Sequence, residues 1–324
     1  RQVEFLAKTL ASILSQDYSD YELVVSDDSP DGAVESLVGS FDFGGRLRYH
    51  RNEPALGSPG NWNAAIGRAR GDYIKLLHHD DSFADSSSLR KFVDLLDRNP
   101  QAGFGFCASR VLETATGVES YHGVAPRSLA ALARNPAVLF AGNFLGVPSV
   151  TIYRRDCALP YDGRMKWLVD IDFYIRVLQS GAGFAYCEED LVRVTSGAGH
   201  QVTTYCHDDD EVVLRESMLL FSKSFAALRD VPEGRESWFT LFERFRIHSL
   251  KALRSYCEPY PELRGYFLEL LRRFRRQRLL SLEGLSRLIS MRFPLPAHLS
   301  LFLRGIKHSL RMVALAATRA QGSD

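Results

Sequence analysis

The sequence lacks any run of 18 apolar residues, and with it any helix able to cross a bilayer. The nearest stretch, residues 137–153, is too short and carries Asn143 and Pro148. No signal peptide is visible. Cysteine is scarce: Cys107, Cys157, Cys187, Cys206 and Cys257 are odd in number, scattered, and never spaced Cys-x-x-Cys. That excludes a disulfide scaffold and points to idle thiols in a reducing compartment. There is no G-x-S-x-G, P-loop, G-x-G-x-x-G or H-E-x-x-H. A serine hydrolase, an ATPase, a dinucleotide enzyme and a zinc peptidase are therefore without support. Charge of one sign is missing overall: 40 basic residues face 39 acidic ones, a net charge of +1. No nucleic-acid partner is expected. Repeats and low-complexity blocks are absent.

What remains is a globular composition, 45% hydrophobic and 24% charged over 324 residues, long enough to bury a large core without staples. Charge is unevenly spread. Residues 1–207 hold 20 basic and 25 acidic side chains, and residues 208–324 hold 20 and 14. Phe5, Leu6, Leu10, Ile13 and Leu14 recur at helical spacing and predict a helix over 3–15. Strands are predicted at 21–26, 46–51, 72–77 and 103–111. Helices are predicted at 34–41, at 61–70 with Asn61 as its cap, and at 88–98. This alternation indicates βαβ units and a mostly parallel sheet flanked by helices, with ligands beyond the C-terminal ends of the strands. Further strands are predicted at 146–153 and 185–194, around a helix at 168–179. After residue 207 strands disappear. Helices are predicted over 211–228, 236–256, 262–280 and 297–318, with Glu233-Gly234 as a break. The domain boundary is placed near residue 207, giving domains 1–207 and 208–324.

Two acidic pairs, Asp27-Asp28 and Asp80-Asp81, follow predicted strands. If those strands are neighbours, the carboxylates converge on one crevice. Hard divalent cations bind carboxylate oxygens and can neutralise a diphosphate leaving group. Solvated Asx turns are the other use of such pairs. Asp170 and Asp172 lie on one predicted helix, about 200° apart, and cannot share one role. One can face a cleft as a general base while the other pairs with Arg176 at i+4. His78, His79, His200 and His207 are further candidates as ligands or acid–base groups.

The order of these segments resembles the family 2 glycosyltransferases with the GT-A fold. The similarity runs through LAKTLASILSQDYSDYELVVSDDSPDG, RLRYHRNEPALGSPGNWNAAIGRARGDYIKLLHHDDSF, GNFLGVPSVTIYRRD, YDGRMKWLVDIDFYIRVLQSG and LVRVTSGAGHQVT, over about residues 4–205. The resemblance implies an α/β GT-A domain followed by a helical, basic C-terminal region. It implies Asp28 on the donor nucleobase with Asp27 beside it, Asp80 near the ribose or metal, and Asp81 as direct ligand of a manganese or magnesium ion. It further implies Asp170 as the general base, and Asp172 and Arg176 as acceptor-side or framework residues. Asp170 must stay ionised, so it is expected not to be deeply desolvated. The implied reaction moves a sugar, with inversion, from a UDP-, dTDP- or GDP-linked donor to a hydroxyl of a glycan or lipid-linked acceptor, in bacterial surface polysaccharide synthesis. The alternative is a non-catalytic nucleotide-sugar binder of the same fold. A nucleotidyltransferase would need a glycine-rich basic loop that is not visible.

Three departures stand out. The family's apolar opening strand does not precede Arg1, so a truncated start with bare ladder groups on its neighbours is expected. His78 stands where members carry Asp, as ligand, sugar contact or filler. Val194 and Thr195 follow Arg193 where members carry a His, and His200 is the replacement ligand considered. Trp62 replaces an Arg and is expected to pack under its helix. Residues 262–280 and 297–318 are amphipathic and basic, which suits an anionic membrane surface or a helical cap. The expected location is the cytoplasm, with peripheral contact at the inner face of the plasma membrane.

Overall fold

Helix α1 (Gln2–Leu14) opens the computed structural model, which describes residues 2–199, 201, 206 and 209–280. Its apolar stripe buries Leu10 and Ile13. Gln16, just past its end, clasps the loop before helix α4 (Ser88–Asp97). Its amide donates to the Asp85 carbonyl at 2.8 Å and accepts from the Leu89 amide at 2.8 Å.

Strand β1 (Leu23–Asp27) pairs in parallel with β2 (Leu47–Arg51), with helix α2 (Ala33–Gly39) between them, and these two strands form a sheet of their own. The second sheet holds β3 (Tyr73–Ile74), β4 (Ser82–Phe83), β5 (Ala102–Glu113), β6 (Glu119–His122), β7 (Thr151–Arg154) and β8 (Gly183–Ser196). Its order is β3-β7-β5-β8-β4, with β6 on β5. The long β5–β8 pair is parallel, while β3–β7, β5–β7, β4–β8 and β5–β6 are antiparallel. The second sheet is thus mixed, with the long parallel β5–β8 ladder at its centre and short antiparallel pairs around it. Short strands that return without a crossover helix pair antiparallel. The predicted 72–77 strand keeps only Tyr73 and Ile74 in a ladder, because β3 has a partner on one edge alone.

The core centres on β5, whose first eight residues are all buried. Phe104 and Phe106 meet Tyr153, Tyr174 and Tyr186 at ring distances of 5.0–6.5 Å. Helix α3 (Gly60–Arg68) begins after Pro59. Asn61 lies inside it and turns its side chain to Asn52 instead of capping. The predicted 146–153 strand starts as a 3₁₀ turn at Pro148–Val150 and pairs only from Thr151.

The chain divides into two compact units, residues 1–245 and the part from Arg246 onward. The last strand among the described residues ends at Ser196, and the first unit runs on past residue 207 to Phe245. Helix α5 (Pro126–Arg134) precedes helix α6 (Val169–Gln179), and α6 is joined to helix α7 (Asp210–Lys223) by the ion pair of Asp172 with Lys223. Helix α8 (Pro232–Arg244) packs Trp238 on Phe140 and Phe221. Glu233-Gly234 is no break. Pro232 sits at the first helical turn, where its missing N–H is harmless. Gly234 allows close approach: a Cβ there would lie 2.5 Å from the Leu228 carbonyl oxygen.

In the second unit, helix α9 (Arg264–Leu280) buries Phe267, Leu270, Leu271 and Phe274 and leaves Arg272, Arg273, Arg275 and Arg276 exposed. Its apolar stripe is used inside the protein. The predicted helix at 297–318 lies outside the described residues. Among the described residues no helix is long and apolar enough to cross a membrane. All five cysteines are free.

Candidate active site

The first acidic pair splits into two duties. Asp27 is buried. Its oxygens accept from the Ser29 amide (2.8 Å), the Ser29 hydroxyl (2.9 Å) and the Tyr49 hydroxyl (2.6 Å), so it locks the turn after β1. Asp28 accepts from the Asn52 amide at 2.8 Å and the Gly57 amide at 2.7 Å. Asn52 also reaches Ser26 (3.0 Å) and Asn61 (2.9 Å), and its own oxygen accepts from Arg68 at 3.0 Å. Neither aspartate lines the main cleft, although Ser26 and Asn61 do. Sequence reasoning missed Asn52 and Arg68, because they become partners only when β1, β2 and α3 meet.

The second pair sits between β3 and β4. One ligand atom each from His78, Asp80 and Asp81 lie within 4.8 Å of one another. The loop is fastened from both sides. Thr9 of α1 lies 2.8 Å and 2.7 Å from the His79 and Asp81 carbonyls. On β8, the Thr195 amide donates to Asp81 at 3.0 Å and its hydroxyl to the Asp80 carbonyl at 2.5 Å. The Gln201 amide donates to Asp80 at 2.9 Å. His78 stacks on Trp62 with ring centroids 4.9 Å apart. Trp62 itself is half-buried and lines the cleft. The His78 Nε2 is buried and has no hydrogen-bond partner.

The electrostatics suit a cation. Burial pushes the Asp81 carboxyl up to about 7, Asp80 adds to the rise, and Ser149 and Thr195 only partly offset it. For Asp80 burial also opposes ionisation. The Gln201 amide and the two neighbouring imidazoles outweigh it and hold its pKa below the ordinary carboxylate value. Burial lowers His78 to about 4, leaving the neutral imidazole that ligates metals. Two carboxylates and one imidazole with an orphaned buried nitrogen form a donor set that fits a divalent metal ion. Lys75, also missed in the sequence, places its ammonium 4.7 Å above the Phe92 ring and bonds the Ser149 carbonyl. Its burial lowers it to about 8. His200 and His207 lie outside the described residues.

Asp170 and Asp172 part as the helical geometry requires. Asp170 lies in the first turn of α6 and lines the cleft. It accepts from the Ile171 amide (2.8 Å) and from the Asn143 side chain (2.8 Å). Burial pushes it up to about 6, against those two bonds, with the Glu216 charge adding to the rise. The expectation of a well-solvated base is thus corrected: the carboxyl sits on an apolar cleft floor that includes Leu168 and Ile171. Glu216 of α7 accepts from the Lys166 (2.7 Å), Trp167 (2.8 Å) and Leu168 (2.8 Å) amides, capping the start of α6. Asp172 is fully buried between Arg176, at 2.7 Å, and Lys223. Asp172→Ala removes the buried partner of Arg176 and one of the two carboxylates paired with Lys223, and is expected to lower stability by about 3–5 kcal/mol, read from urea melts.

One cleft of about 1450 Å³ is lined by His78, Asp80, Asp81, Asn143, Trp167 and Asp170. It is roomier than an ordinary small-molecule pocket. Residues 2–158 match the family model described as glycosyl transferase family 2. Residues 2–158 are a family 2 glycosyltransferase domain.

Solved structures share the fold of this chain. TarS 1–349 of S. aureus in complex with UDP-GlcNAc superposes with a TM-score of 0.54 at 16% identity, covering 87% of this chain and 79% of TarS 1–349. The mannosyltransferase PcManGT of Pyrobaculum calidifontis, in complex with GDP-Man and Mn²⁺, gives 0.50 at 14% identity, covering 86% and 84%. In sequence, the chain is 31% identical to protein MT1568 of Mycobacterium tuberculosis over 55% of its own length and 59% of that protein's. It is 31% identical to the GalNAc(5)-diNAcBac-PP-undecaprenol beta-1,3-glucosyltransferase of Campylobacter jejuni over 33% and 35%. The matches span 35–59% of the length of the curated relatives.

Proposed function

We propose that this glycosyltransferase moves a sugar, with inversion, from a nucleoside-diphosphate donor to a hydroxyl of a glycan or lipid-linked acceptor. The observation that carries the reading is the placement of a divalent-cation donor set and a poised carboxylate, Asp170, in one cleft. The Mn²⁺ and GDP-Man of one structural neighbour, the UDP-GlcNAc of another and the lipid-linked substrate in the Campylobacter protein's name support it.

Asp80, Asp81 and His78 would hold the metal, which when bound stabilises the departing diphosphate. Ser26 and Asn61, backed by Asp28 and Asn52, shape the nucleoside end. Asn143 and the Ile171 amide hold the Asp170 carboxylate, which takes the proton from the acceptor hydroxyl as that oxygen attacks the anomeric carbon. A base with a pKa near 6 is mostly ionised at neutral pH and still strong enough to accept that proton. Attack from the face opposite the diphosphate inverts the centre in one displacement.

A thermal-shift screen against UDP, dTDP, GDP and CMP, with and without Mn²⁺, tests this. A nucleotide at a hundred times its Kd adds about 2.7 kcal/mol to the folded state, or roughly 5–10 °C. One base is expected to give such a shift, and only with the metal. No shift with any of the four would sink the reading.

A further inference from the structure

The cleft continues past Asp170. Its wall passes to Trp167 and then to α8, which contributes Glu233, Glu236, Ser237, Thr240 and Arg244. These positions fall at i, i+3, i+4, i+7 and i+11, one face of a helix. The neighbouring face is buried: Trp238 meets Phe221 at 5.5 Å and Phe140 at 5.9 Å, and Phe242 is fully covered. Aromatic packing therefore fixes the rotation of α8, and its polar stripe is turned to the cleft by that packing.

The chemistry of the stripe is selective. The Ser237 hydroxyl donates to the Glu233 carbonyl at 2.6 Å, and that of Thr240 to the Glu236 carbonyl at 3.0 Å. Their protons are committed, so each offers a ligand its lone pairs. Glu233 and Glu236 are acceptors as well. Four acceptors suit a ligand rich in hydroxyl donors, and the stripe's two carboxylates outnumber its one guanidinium, that of Arg244, against a phosphate. The Trp167 backbone amide donates to Glu216 at 2.8 Å and its side chain lines the cleft, where an aromatic residue takes the C–H face of a sugar ring while polar neighbours take its hydroxyls.

We propose that Trp167 and the polar face of α8 form the acceptor subsite, and that the acceptor group bound there is a neutral saccharide. The enzyme then extends an existing glycan and does not act on a sugar-free polyprenyl phosphate. The proposal rests on the glycosyl-transfer reading above and adds the class of acceptor to it.

Saturation-transfer NMR on the whole protein tests it, with methyl glycosides of glucose, galactose, N-acetylglucosamine, N-acetylgalactosamine and rhamnose, and with farnesyl phosphate as the sugar-free probe. At least one methyl glycoside is expected to bind. Its Kd should rise about tenfold or more in Trp167→Ala and in the surface double variant Glu236→Ala/Thr240→Ala. Farnesyl phosphate is expected to give no signal that either variant removes. The proposal is overturned if no glycoside binds, if neither variant weakens binding, or if farnesyl phosphate depends on the same residues. The nucleotide screen reads the donor end separately. Its failure would remove the transfer reading while the glycoside result still judges this wall.

Discussion

Asp170→Asn is expected to lower kcat by about 10²–10⁴-fold with nucleotide binding unchanged. The substitution keeps the shape of the side chain and removes only its ability to accept a proton. Full activity in the variant would rule out Asp170 as the base. The wild-type pH profile gives an independent check. Burial raises the Asp170 carboxyl to about 6, so kcat/KM should fall tenfold per pH unit below that value and level off above it. Stability carries the same signature. The folded-state pKa lies above the ordinary 3.8, so folding favours the protonated form. That contribution is complete below the unfolded value and is lost as pH rises through about 6. The asparagine variant lacks it. Between pH 4 and pH 7 the wild type should therefore lose about 2 kcal/mol relative to Asp170→Asn, measured by urea melts at both pH values. Asn143 enforces the comparison. Its amide also donates to the Gly146 carbonyl at 2.9 Å and its oxygen accepts from the Gly146 amide at 3.1 Å. It cannot flip to suit the variant, and any penalty from that mismatch is independent of pH.

Asp81→Asn is the second large effect. An asparagine oxygen can still accept from the Thr195 amide, so the loop should keep its shape. The negative charge is lost at the centre of the donor set. Even indirect partners of a metal ligand are worth roughly 10–100-fold in affinity, so a direct ligand should be worth on the order of a hundredfold or more. The Mn²⁺-dependent nucleotide shift is expected to vanish, while the melting temperature without metal stays the same or rises. The rise follows from burial: this carboxyl is pushed up to about 7, so its ionised form destabilises the fold when no cation compensates it. An unchanged Mn²⁺-dependent shift in Asp81→Asn would exclude Asp81 as a ligand. The two variants separate the roles, since one abolishes binding and the other abolishes turnover after binding.

Much of this site is local and could be read from the chain. A polar pair after a β-rich segment, a helix carrying Asp170 and Asp172 on opposite faces, and the absence of competing motifs are properties of residue order. The partners that make those residues work come from far along the chain. Thr195 and Gln201 lie more than a hundred positions from the aspartates they hold, and Glu216 nearly fifty from the amides it caps. No spacing rule connects them.

The sequence by itself determined the alternation of strands and helices, the two acidic turns, the assignment of Asp170 and Asp172 to different surroundings, and the basic helical end. These follow from side-chain periodicity and from carboxylates placed at turns, which act over a few residues. Only the tertiary structure decided that the sheet is mixed and split in two, that Asp27 locks a turn while Asp28 joins a network through Asn52, and that Thr9, Thr195 and Gln201 fix the loop of His78, Asp80 and Asp81. It also decided that α8 belongs to the first unit and walls the cleft. Each of these depends on desolvation and on contacts between segments distant in sequence. Burial, which sets the pKa of Asp81 and Asp170, exists only once those segments have packed.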